Sequence, residues 1–192
     1  ASDFSIGIFI LGFSYSMVMV FGMSIPFIVE RQFNLSAVTT GYCALASGVS
    51  IFLGGLFSKM MMDKPFFRKL LLANYFQLVL SMVMLGTALY FHNLYVILCF
   101  VMLIHFWEGL TYNAYFTYSL VRFPQYAATS SGLVSGGSYM VFSIMSYVVV
   151  SLLPITNQYS LAEAYLAFTA IISVLLLFLG KVLKAQKVAV IN

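Results

Sequence analysis

Three side chains at helical spacing carry the chemistry this sequence offers: His105, Glu108 and Tyr112, within Leu103–Ser119 (LIHFWEGLTYNAYFTYS). An imidazole, a carboxyl and a phenol one turn apart can hold, take up or release a proton, or pair with a cationic ligand. The surrounding residues are apolar. A charged group at membrane depth costs about 2.5–3.5 kcal/mol on insertion scales, and intramembrane acids mark ion, proton or substrate paths. Desolvation penalises the charged form of a carboxyl, so a group of this kind suits proton coupling. Glu108 is therefore the first functional candidate, with His105 and Tyr112 expected as its hydrogen-bond partners.

The elements that must position these groups follow from composition. Of 192 residues, 62% are hydrophobic and only 7% charged, whereas a globular domain carries roughly a quarter charged residues. Six apolar runs lie at about 4–28, 36–58, 70–91, 94–120, 128–153 and 163–184. Each is near the about 20 residues a helix needs to cross a bilayer and far beyond a barrel strand. The expected fold is all-α and integral to the membrane, a single six-helix domain over 1–192. The first run lacks a charged leader and a cleavage site, so it reads as a span rather than a signal peptide. The chain starts at Ala1 without a Met, which suits a processed protein or a piece of a longer one. Cys43 and Cys99 fall inside spans, and no disulfide, metal site or cofactor is expected.

Charge sets the expected orientation. Lys59, Lys64, Arg68, Lys69, Arg122, Lys181, Lys184 and Lys187 lie on one side of the runs, and only Arg31 lies on the other. Basic residues in short loops stay cytoplasmic, which places both termini inside. The sequon Asn34-Leu35-Ser36 falls in an outer loop close to the membrane and carries little weight.

On a helix of about 100° per residue, His105, Thr111, Tyr112, Tyr115 and Ser119 lie within about 60° of Glu108. One reading is a structural hydrogen-bonding face; the preferred one is the wall of an aqueous cavity. In span 5, Ser131, Ser135, Ser138, Tyr139 and Ser146 share a face that lines the same space, while Gly132 and Gly136 form a small-xxx-small step for close packing. In span 1, Ser5, Gly12, Ser16 and Met23 share a face, and Pro26 kinks or ends the helix. In span 2, Ser36, Thr40, Cys43, Ser47, Ser50, Gly54 and Ser58 form a stripe, read first as tight helix packing and second as a sliding surface. Ser16 and Ser47 join the expected cavity lining. Span 3 places Asn74, Gln77 and Ser81 together. Span 6 is nearly featureless and is expected to face lipid.

Several six-span classes are excluded by residues. An intramembrane serine protease needs a His on a later span, and none follows His105. Paired Asn-Pro-Ala half-helices and repeated Pro-x-Asp/Glu-x-x-Lys/Arg signatures are absent, against water channels and mitochondrial-type carriers. No catalytic constellation is present, so an enzyme is not expected. Nothing suggests a nucleic-acid partner.

Three stretches resemble one six-span half of the major facilitator superfamily, most of all the C-terminal half of twelve-span drug:proton antiporters. Ser24-Ile25-Pro26-Phe27-Ile28-Val29 with Phe33-Asn34-Leu35-Ser36 and Gly41-Tyr42 is similar to its seventh span, outer loop and start of the eighth. Gly54-Gly55-Leu56 with Lys59, Asp63, Arg68 and Lys69 resembles the second copy of its cytoplasmic loop motif, although Ser58 stands where an acid is expected and Asp63 arrives late. Ala127–Leu133 resembles the start of its eleventh span. The resemblance implies alternating access, with spans 1, 2, 4 and 5 lining or bordering the cavity and spans 3 and 6 outside. It implies proton-coupled export of a small organic molecule or drug, with protons, substrate and the missing N-terminal half or a second copy as partners. The membrane would be a plasma membrane or bacterial inner membrane. The alternatives are a siderophore or metabolite importer of the same fold, and a non-transporting membrane scaffold or receptor-like module.

Overall fold

The computed structural model describes residues 2–191, with side chains through residue 185. The Lys187 side chain, assigned above to the basic tail, and the chain start at Ala1 lie outside the described residues. Among the described residues six α-helices form: α1 (Ser2–Phe27), α2 (Ala37–Met60), α3 (Phe66–Thr87), α4 (Leu94–Arg122), α5 (Ala127–Leu152) and α6 (Gln158–Ile191). With the short turns adjoining α1 and α5 included, all six are long and apolar enough to cross a bilayer. The chain is an all-helical integral membrane protein.

Caps fix several helix ends. The Asn93 side chain accepts from the Tyr95 backbone N–H at 2.8 Å and starts α4. Asn157 accepts from the Ser160 N–H at 2.9 Å, so α6 begins at Gln158, ahead of the apolar run expected from residue 163. A polar first turn is normal for a capped helix, and hydropathy alone places that start too late. Pro26 sits inside α1 without ending it. Proline has no N–H to give to the helix ladder, and the chain widens just after it into a π-helical turn, Ile28–Gln32. Asn34 then adopts φ 51° and turns the chain into α2; Asn tolerates that left-handed region better than most residues.

α4 is the hub. It packs most extensively on α2, then on α3, and more thinly on α1 and α5. α1 packs on α5 and α6, and α3 closes against α6. The α2–α4 contact rests on the small-residue stripe: Cys43, Ser47, Ser50, Gly54 and Ser58 are the buried residues of α2. A Cβ on Gly54 would run into the Phe106 carbonyl, and one on Gly109 into the Ile51 carbonyl. Ser50 Oγ donates to the Met102 carbonyl across the same contact. Backbones approach this closely only where side chains are missing.

Two packing expectations fail. Gly132 and Gly136 have no atom within 4 Å of an added Cβ, so their small-xxx-small step contacts no helix among the described residues. The close packing of α1 on α5 uses Gly12, facing Val141, and Gly137, facing Ile8. Adjacent glycines in Ser135–Ser138 made the wrong one look like part of a motif. α6 does not simply face lipid either. Leu161, Tyr165, Phe168, Ile172, Leu176 and Leu179 are buried, while Ile171, Val174, Leu177 and Phe178 are exposed. Tyr165, Thr169 and Ser173 stand four residues apart on the inner side, with Thr169 buried and Ser173 accepting from Asn74 at 2.7 Å, a polar stripe that the reading of span 6 as featureless passed over.

Gly54→Val should lower the unfolding temperature of the detergent-solubilised chain, because overpacking of this kind costs about 1–3 kcal/mol or more. Gly132→Ala and Gly136→Ala should leave it unchanged or raise it, since Ala is the better helix former. A thermal shift assay that ranks the three variants the other way would contradict the α2–α4 contact.

Candidate functional site: the buried acid of α4

Glu108 projects from the middle of α4 and is fully buried. Ser14 Oγ, from α1, donates to Glu108 Oε2. Gln77, from α3, lies beside the carboxyl, and its Nε2 also reaches the Ile104 carbonyl at 3.4 Å. Glu108 Oε1 has no hydrogen-bond partner of sound geometry among the described residues. No cation pairs with Glu108: the ion pair found among the described residues joins Arg122 to Asp3. An ionised carboxylate without a counter-charge is expensive in a water-poor interior, and the neutral acid is not.

His105 and Tyr112 are not the partners of Glu108. The His105 ring is fully buried one turn earlier, with Nδ1 at 2.7 Å from Ser47 Oγ and Nε2 at 3.1 Å from Tyr165 Oη. Phe21 packs edge-on against it at 5.4 Å. A hydroxyl can donate or accept, so the neutral ring is satisfied in either tautomer. The turn of helix between the two residues sends His105 towards α2 and α6 and Glu108 towards α1 and α3. Tyr112 is half-buried, stacks on Phe116 at 5.5 Å and lies 6.2 Å from Tyr15. Its long ring reaches the open edge of α4 instead of the acid.

The expected cavity wall is mostly sealed inside the bundle. Tyr115 is fully buried against Gly7 and donates to the Phe4 carbonyl at 2.5 Å. Ser16, Thr111, Ser119 and Ser138 are buried and return their hydroxyls to carbonyls of their own helices, a usual resting place for helical Ser and Thr. Ser47 is buried on His105. On α5, Ser131 and Ser135 are half-buried and Tyr139 is exposed. α1 packs across the α4 stripe at Gly7, where the Tyr115 ring fills the space a Cβ would take. Tyr15 is close enough to interact electrostatically with Glu108, and it packs at 5.1 Å on Phe142, which in turn meets the exposed Tyr139 at 5.1 Å.

The loop residues divide. Gly54 and Gly55 serve the α2–α4 contact, and the Gly55 carbonyl accepts from Asn113 at 3.3 Å. Lys69 is buried and donates to the Ser58 carbonyl at 3.3 Å, capping the end of α2. Lys59, Asp63 and Arg68 are exposed.

Sequence reasoning missed Ser14, Tyr15 and Tyr165, and it missed a second buried acid. Asp3 is fully buried at the start of α1, where it accepts from Tyr118 at 2.6 Å and from Arg122 Nε at 3.2 Å. A spacing signal existed for Ser14, which stands seven residues from Gly7 and from Phe21 on one face of span 1. Asp3 stands just ahead of the first apolar run, outside the stretches that suggested chemistry. No group of three His, Cys, Asp or Glu side chains is placed to hold a metal among the described residues, and Cys43 and Cys99 are unpaired.

No protein-family model matches the chain, and no curated protein is detectably similar to it.

Ser14→Ala should destabilise the chain by about 1–3 kcal/mol, the penalty for stripping a buried charged or polar group of a partner. In a Glu108→Leu background the same change should be close to neutral. Additive effects in thermal unfolding would mean that the two side chains are not coupled.

Proposed function

We propose that this chain is one half of a secondary transporter of the major facilitator type, working by alternating access around a midplane site. Glu108 is its proton-coupling group, and the reaction is export of a small organic molecule in exchange for protons. The observation that carries this reading is a buried mid-span carboxyl with no cation paired to it among the described residues, bonded by the Ser14 hydroxyl and with the Tyr15 ring close by. Proton uptake relieves the cost of the uncompensated charge, and hydration restores the charged form. Tyr15, Tyr112 and Tyr139 supply part-exposed phenol faces on the open side, suited to an apolar or cationic organic substrate. His105 is a positioning residue that joins α2, α4 and α6.

The orientation supported by charge puts both termini on the cytoplasmic side of a plasma membrane or bacterial inner membrane. The Asp3–Arg122 pair agrees with the alternation, because it brings the start of the first helix to the end of the fourth. The partner is the complementary half or a second copy, set against the least buried helices, α2 and α5.

The enclosure of Glu108 favours a second reading, a non-transporting membrane module in which the acid only locks helices together. One experiment separates the two. Cells carrying the chain with its complementing half are loaded with ethidium, and efflux is driven by an imposed pH gradient. Glu108→Gln should abolish pH-driven efflux while expression and unfolding temperature stay near the parent's. Unchanged pH-driven efflux in that variant would sink the transporter reading, and a loss of stability with efflux per folded molecule preserved would establish the structural one.

Topology has its own check. In a Cys43→Ser, Cys99→Ser background, cysteine at Lys64 or Arg122 should react with an impermeant maleimide only from the cytoplasmic side, and cysteine at Asn157 only from outside. Labelling of the Lys64 site from outside would invert the orientation.

A further inference from the structure

At the end of the bundle away from the Asp3–Arg122 pair, the α1–α2, α3–α4 and α5–α6 connections enclose a depression of about 400 Å³. Arg31, Gln32, His92 and Gln158 all line it. The wide π-helical turn after Pro26 is what brings Arg31 and Gln32 there, and such turns recur at functional sites. Arg31 is exposed, forms no ion pair among the described residues, and lies 5.3 Å over the Phe27 ring. Its charge is available to a ligand.

The floor carries the second signal. Gln158 is 2% exposed, and its Nε2 is committed to the Met84 carbonyl at 3.1 Å and Thr87 Oγ1 at 3.2 Å. Those bonds fix the amide so that Oε1 is the free atom, and it has no partner. Gln32 Oε1 is likewise buried without a partner. Buried acceptors left unpaired are costly. Two acceptors on the floor and a guanidinium at the rim ask for one ligand with both a negative charge and hydrogens to donate.

We infer that this depression binds an anion carrying hydroxyl or ammonium groups, with its charge on Arg31 and its donors on Gln32 Oε1 and Gln158 Oε1. A free polyhydroxy or amino acid anion and a phospholipid headgroup share this chemistry. The site does not rest on the transporter reading, since this chain supplies all of it.

The soluble source is tested with sn-glycerol 3-phosphate, titrated calorimetrically into the chain in phosphatidylcholine nanodiscs. Saturable binding is expected, weakened about tenfold or more in Arg31→Gln, the size of a lost charge-assisted hydrogen bond. Methyl phosphate, which keeps the charge without the hydroxyls, should bind comparably more weakly to the parent. The lipid source is tested by native mass spectrometry of the chain purified with mixed phosphatidylcholine and phosphatidylglycerol; selective retention of phosphatidylglycerol, lost in Arg31→Gln, is expected if the headgroup is the ligand. A positive result in either arm supports the site and names its source. Arg31 is exposed, so its variant should fold, and an unchanged unfolding temperature checks this. Absence of binding in both arms, binding indifferent to Arg31→Gln, or equal affinity for methyl phosphate would overturn the inference.

Discussion

The structure depends on one constraint: a carboxyl has been placed among membrane-spanning helices without a positive charge to meet it. Backbone polar groups satisfy themselves within each helix, so helical secondary structure leaves that problem untouched. It is met by tertiary contact. Ser14 on α1 bonds Glu108, Gln77 on α3 lies beside it, and His105 on the same helix is held separately by hydroxyls from α2 and α6. Five of the six helices thus contribute polar groups to one central layer. Their relative rotations follow, because a helix turned by a fraction of a turn would leave its polar group facing hydrocarbon.

Much of this was legible in the sequence, and the boundary is physical. Apolar run length gave six spans, since water-to-lipid transfer acts on each segment separately. The α2 stripe from Cys43 to Ser58 was legible because small residues recur along one face over about four turns, longer than a single small-xxx-small step. The polar face of α4 was legible too, but what covers it was not. Periodicity gives the direction in which Glu108 points and says nothing about which helix stands opposite. Ser14 was therefore passed over in favour of Ser16, which spends its hydroxyl on its own helix. Tyr165 escaped notice because the stripe it starts, continued by Thr169 and Ser173 at helical spacing, is thinly polar within a long apolar run. The misplaced start of α6 came from reading a capped, polar first turn as loop.

Glycine shows how little a local motif decides alone. Gly132 and Gly136 satisfy the small-xxx-small pattern and meet no other helix among the described residues, whereas Gly54 and Gly109, on different helices, meet carbonyls of the partner helix. Close approach is a property of a pair of surfaces. Gly54 was legible as a packing residue within its stripe; what marks the helix it packs on is a second glycine, Gly109, at the matching level of another span.

The same glycines divide the bundle mechanically. Gly54 and Gly109 fuse α2 to α4, and Gly12 and Gly137 fuse α1 to α5. On one side these pairs are bridged by well-packed α3 and α6; on the other, α1 and α5 meet α4 across much thinner contacts. Glu108 lies on that thin seam, with Ser14 reaching it across the gap and Tyr15, itself packed on Phe142, close beside it. At one end, the Asp3–Arg122 ion pair, the Tyr118 bond to Asp3 and the Tyr115 bond to the Phe4 carbonyl clamp the seam shut. Parting α1 and α5 from α4 would expose Glu108 to water with the least loss of packing, with α3 and α6 as the hinge side. Such an opening would strip the carboxyl of Ser14 as it became hydrated, so the bond that holds the helices together and the group that exchanges a proton would be one and the same. Under the transporter reading, proton binding and helix movement are thereby coupled through a single hydrogen bond, without a relay to carry the effect between distant sites.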